Sequence, residues 1–154
     1  MFEKILVCLD GSSAAEEILS YVTDEALSYH SKVVLLRVVS LPELTVPFGV
    51  PGYPSTPITT ESTMRHTNIE EGEAVEYLKR IAEPLLEKGI NVECVILPGV
   101  VGETITNYGQ ENGFELVAIA AHGHGGLRRL VIGSTADFVL HHSSLPILIV
   151  RPAK

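Results

Sequence analysis

The stretch Lys4–Ser13, KILVCLDGSS, decides the architecture. Ile5 to Leu9 are apolar without a break, and a strand that does not alternate is buried on both faces. Such a strand needs helices above and below it, and the next residues supply one. Ser13 with Glu16 three residues on reads as a capping box, and Ala15, Ile18, Leu19, Val22 and Ala26 keep one helical face.

The unit then repeats outward. Lys32–Ser40 (KVVLLRVVS) is a second continuous strand. Residues 41–66 change character, with Pro42, Pro47, Pro51, Pro54 and Pro57 among them, and read as an exposed, mobile loop. Ile69–Lys88 follows as a helix, acidic early and basic late as its dipole favours. Ala74, Leu78, Ile81 and Leu85 form its buried stripe, Pro84 is expected to kink it, and Gly89 ends it. Asn91–Leu97 is a third strand, Gly102–Asn112 a short helix, and Leu116–Ala121 a fourth strand. Ser134 opens a helix to about His142, and Pro146–Val150 (PILIV) is a fifth strand. The expected fold is α/β: a single doubly wound, five-stranded parallel sheet with helices on both faces, Rossmann-like, occupying residues 1–154 as one domain. Ligands of such sheets sit beyond the carboxyl ends of the strands.

Composition agrees. The 154 residues are 45% hydrophobic and 19% charged, which excludes wholesale disorder. A net charge of −8 argues against nucleic acid as a partner. Residues 122–154 nevertheless hold Arg128, Arg129, Arg151 and Lys154 against Asp137 alone, so any bound anion is expected there. Cys8 and Cys94 lie far apart in apolar runs, read as buried strand thiols, and suit a reducing, cytoplasmic setting. No run is long enough to span a membrane, and Met-Phe-Glu-Lys leads straight into a strand rather than a signal peptide.

After the fourth strand comes AAHGHGGLRRLVIGST, residues 120–135. Glycines let backbone N–H groups approach a phosphate, Ser134 begins a helix whose dipole favours an anion, and Arg128 and Arg129 add paired positive charge. A flexible βα connection with Ser134 as N-cap is the plainer reading of the same residues.

This segment resembles the universal stress protein family, whose nucleotide-binding members carry Gly-x2-Gly-x9-Gly-(Ser/Thr). Gly123, nine intervening residues, Gly133 and Ser134 match, while the first motif glycine is Ala120 here, whose methyl group can crowd a ligand. The resemblance extends to Asp10 at the end of the first strand, the long loop after the second, Gly99, and the closing PILIVRP. It implies an adenine-nucleotide-binding fold and a regulatory, stress-linked homodimer that binds ATP, with or without Mg2+. It places Asp10, with Gly11 and Ser12, at the nucleoside and Val38 at the adenine. His122, Gly123, His124, Gly125, Gly133, Ser134 and Thr135 then fall around the phosphates, with Arg128 and Arg129 as counter-charges. Strand 146–150 would join two copies. Asp10 alone reads more readily as a turn residue, and Val38 alone as core. A scaffold dimer that binds no nucleotide, and a slow or self-phosphorylating ATPase, remain alternatives.

Sharper motifs fail. There is no GxxxxGK[ST], and Gly123-x-Gly125-x-x ends in Arg128 rather than glycine. Cys8-Leu9-Asp10-Gly11-Ser12 lacks the first aspartate of a phosphatase element. The histidines, His141 and His142 included, have no cysteine or carboxylate spaced to complete a metal site. Ser134, His122 and Asp137 form no triad.

Overall fold

The computed structural model describes residues 1–39, 60–121 and 132–152, with side chains in the second span from residue 68 onward. The strands are β1 (Lys4–Cys8), β2 (Lys32–Val39), β3 (Asn91–Pro98), β4 (Leu116–Ala120) and β5 (Ile147–Val150). The helices are α1 (Ser13–Glu16), α2 (Ile18–Tyr29), α3 (Thr60–Glu87), α4 (Val101–Glu111) and α5 (Ser134–His142). The five strands form one parallel sheet in the order β3-β2-β1-β4-β5.

The continuous strands split their side chains between two cores, as the pleat requires. Ile5, Val7, Leu9, Val33 and Leu35 face Ile18, Val22, Leu78, Ile81 and Leu85 of α2 and α3. Leu6, Cys8, Val34, Leu36, Val117 and Ile119 face Ile105, Ala136 and Val139 of α4 and α5. Ile5, Leu6, Val7, Val33 and Leu35 are fully buried. Each such side chain contributes roughly 1.5–3 kcal/mol relative to exposure.

Four local expectations need correction. Ser12, not Ser13, caps the first helix: its backbone is extended and its Oγ accepts the Ala15 N–H at 3.1 Å. That helix is also divided at Glu17, whose N–H reaches back to the Ala14 carbonyl at 3.4 Å. The helix expected from Ile69 begins at Thr60; residues 60–67 (TESTMRHT) carry no periodic apolar stripe to announce it. The rest of the proline-rich loop, to residue 59, lies outside the described residues. Cys94 is exposed, because β3 lies at the sheet edge, whereas Cys8 is buried as expected.

Gly89 ends α3 with φ of +82°, in the left-handed region that favours glycine. The helix runs through Pro84 in one piece.

Candidate functional site

After β1 the chain winds outward through β2 and β3, then returns to place β4 and β5 on the other side of β1. The winding therefore reverses between β1 and β4, which is where such sheets open a crevice. A cleft of about 370 Å³ lies there. That volume falls within the range of small-molecule sites, roughly 300–1,000 Å³.

Its apolar wall comes from Leu36 and Val38 of β2, Ile119 of β4, Val101 and Ile105 of α4, and Ile132. Asp10, Arg37 and Glu70 are polar lining groups from the β1, β2 and α3 side. Gly133, Ser134, Thr135 and Ala136 line it at the start of α5. Asp10, Val38, Ala120, Gly133, Ser134 and Thr135 are thus brought together around one cleft.

Asp10 has two tasks. Its Oδ1 accepts the Ser12 N–H at 2.9 Å and the Ser12 hydroxyl at 2.6 Å, closing the turn after β1, and the residue also lines the cleft. Gly11, at φ of +90°, and Ser12 build that turn and are not among the lining residues. His122, Gly123, His124, Gly125, Arg128 and Arg129 lie outside the described residues.

At α5 the N-cap is Gly133, with φ of 87° and ψ of 143°, and Ser134 is the first helical residue. The serine cap is therefore corrected: the cap residue is a glycine, which has no side chain to accept from the first N–H groups. The first N–H groups of a helix have no intrahelical acceptor, and here they belong to residues that line the cleft. With the helix dipole behind them, they suit an anion. Asp137 in the same turn faces His141, with 3.6 Å between Oδ1 and Nδ1.

Cys8 lines the cleft, but burial pushes its thiol up to about 12, so it is a neutral apolar wall rather than a nucleophile. Among the described residues no group of three or more His, Cys, Asp or Glu could hold a metal ion.

Sequence reasoning missed Arg37, Glu70 and Ile105 of α4. Arg37 had a signal, as a lone charge inside the apolar run of β2. Glu70 had none, since α3 approaches the cleft only in the folded chain.

These features define a doubly wound α/β protein with a ligand-sized cleft at its switch point. The universal stress protein family model matches residues 1–151, and the chain belongs to that family. Universal stress protein MJ0577 of Methanocaldococcus jannaschii is 26% identical over 157 residues, covering 98% of this chain and 96% of its own. The MJ0577 structure superposes with a TM-score of 0.82 at 25% identity, over 100% of this chain and 99% of that one. A universal stress protein in complex with cAMP shares the fold at 14% identity and a TM-score of 0.69, over 99% and 98% of the two chains. The Archaeoglobus fulgidus protein in complex with dAMP does so at 18% identity and 0.63, over 95% of each.

Proposed function

We propose that this universal stress protein binds an adenine nucleotide in the switch-point cleft, with ATP as the expected ligand and regulation rather than catalysis as its role. The observation that carries the reading is the pairing of an apolar slot with the glycine-capped N-terminus of α5 in one cleft. A flat purine suits the slot, and phosphates suit the helix start. That relatives of the same fold hold cAMP and dAMP supports the adenosine part.

Val38, Val101 and Ile105 would hold the base, Asp10 the ribose hydroxyls, and the α5 amides with the Ser134 and Thr135 hydroxyls the phosphates. By the family resemblance Gly123, Gly125, Arg128 and Arg129 complete the phosphate side. Ala120 is 5% exposed and lines the cleft, so its methyl group occupies little of the space a ligand would enter. Any Mg2+ would arrive with the nucleotide, held largely by phosphates and water. Mass spectrometry of gently purified protein tests the reading: retained adenine nucleotide appears as added mass.

Asp10→Ala should weaken ATP binding about tenfold or more, the worth of a hydrogen bond to a charged acceptor. Because Asp10 also holds Ser12, the melting temperature is followed beside the calorimetric affinity. Unchanged affinity would remove Asp10 from the site.

The reading includes a homodimer through residues 146–150. Both outer strands of the sheet present an edge, but the two differ. The β3 edge carries Glu93, ion-paired to Lys32 at 2.6 Å, and ends in Pro98, features that discourage pairing. The β5 edge is ILIV, without a charge. Light scattering at micromolar concentration should give twice the chain mass; a monomer mass refutes the dimer. No helix among the described residues is long and apolar enough to cross a membrane. With both cysteines free, we place the protein in the cytoplasm.

A further inference from the structure

Arg37 is half-buried in the apolar run of β2 and is among the residues that line the cleft. The turn after β1 closes over its guanidinium. A Cβ on Gly11 would stand 2.8 Å from Nη1, so this approach exists only because residue 11 lacks a side chain. On another side the guanidinium carbon lies 5.9 Å from the centre of the Tyr77 ring. Nε and Nη1 are buried and have no hydrogen-bond partner among the described residues.

The neighbouring cation is matched where Arg37 is not. Arg80 lies 5.3 Å from the same ring and is held by Glu16 at 2.9 Å. Asp10 and Glu70 line the same cleft, yet no ion pair among the described residues joins either to Arg37. A buried, permanently charged group without a partner is costly, and among the described residues Nε and Nη1 are left for an oxygen acceptor to satisfy. The guanidinium fork is matched in shape to the oxygens of a phosphate.

We infer that Arg37 is a second anion-binding point of the cleft and takes a phosphate group other than the one at α5. This rests on the reading that the start of α5 holds a phosphate. Arg37 belongs to β2, while α5 follows β4, and β1 lies between those strands. Two strand spacings, about 10 Å, separate β2 from β4, so Arg37 and the start of α5 approach the cleft from different strands. The site therefore selects ligands with more than one phosphate. The second phosphate comes either from a polyphosphate chain, as in ATP, or from a phosphate on the ribose.

The test is calorimetric titration of the full chain and of Arg37→Gln with ATP, AMP, adenosine 3′,5′-bisphosphate and inorganic tripolyphosphate. Arg37→Gln should leave AMP affinity unchanged and lower the affinity for a doubly charged ligand about tenfold or more. A loss confined to ATP and tripolyphosphate identifies the chain as the source, and one confined to the bisphosphate identifies the ribose. Without ligand, Arg37→Gln should melt at or above the wild-type temperature, since an unpaired buried charge is removed. A lower melting temperature with an equal loss for all four ligands would make Arg37 structural and overturn the inference. So would equal affinities of both proteins for every ligand. If wild type binds tripolyphosphate in an Arg37-dependent way but no nucleotide, the anion point stands and the adenine reading falls. Binding of none of the four overturns both. Arg37→Lys, which keeps the charge without the fork, should bind ATP with intermediate affinity and carries the comparison if the glutamine variant does not fold.

Discussion

Gly102→Val is expected to lower the melting temperature by several degrees. Gly102 is buried in the first turn of α4, where that helix meets α5. A Cβ there would stand 2.6 Å from Cδ1 of Phe138, 2.9 Å from Cγ and 3.1 Å from Cβ. The last two atoms are not the loose end of a side chain. Phe138 is also stacked on His142 with ring centres 4.0 Å apart, so turning it away sacrifices a second contact. Overpacking of this kind costs about 1–3 kcal/mol. For a chain of this size each kcal/mol moves the midpoint by about 2–4 °C. Val101 and Ile105 of the same helix line the cleft, so ligand affinity should fall with stability. Gly72→Ala is the control: nothing lies within 4 Å of its Cβ on α3, and better helix propensity should stabilise it by up to ~1 kcal/mol. An unchanged midpoint for Gly102→Val in thermal denaturation would mean that α4 and α5 do not pack as described.

The second large effect belongs to Gly133→Val, which should abolish ATP binding while the circular dichroism spectrum stays that of the folded chain. At φ of 87° and ψ of 143° the residue occupies a region that L side chains rarely enter, least of all a β-branched one. The strain, about 1–3 kcal/mol, can be relieved only by turning the backbone that leads into Ser134 and Thr135. Those are the groups that meet the phosphates in the proposed complex. Ser134→Ala forms an informative contrast. Because Ser134 is not the cap, its replacement should alter stability by only ~0.5 kcal/mol or less. Any loss of affinity then reports on the hydroxyl itself. Full affinity in Gly133→Val would remove the start of α5 from the site.

The strands were legible because burial on both faces leaves an unbroken apolar run, as in Ile5–Leu9 and Val33–Leu36. The helical faces were legible where one stripe meets the sheet, as with Leu78, Ile81 and Leu85. Residues 60–67 were not, since a polar segment carries no stripe whether it is helical or looped. The choice between Ser12 and Ser13 as cap turned on the Asp10 carboxylate, which draws the Ser12 N–H and hydroxyl into the turn. Adjacent serines give no periodic signal for that. Among the residues that line the cleft, Gly133 and Ser134 were singled out through the spacing of the family motif, and Asp10 and Val38 through their places at the ends of the first two strands. Arg37, Glu70 and Ile105 were not, because a cleft assembled from β2, α3 and α4 is a property of their packing. That Arg37 Nε and Nη1 lack a partner among the described residues appears only once its neighbours are in place.

The most direct test of the nucleotide reading is a calorimetric titration of the purified wild-type chain with ATP. Saturable binding at one site per chain, weakening as salt is raised, is the predicted result. No heat and no bound adenine nucleotide at millimolar ATP would contradict it and leave the fold as a scaffold for other partners.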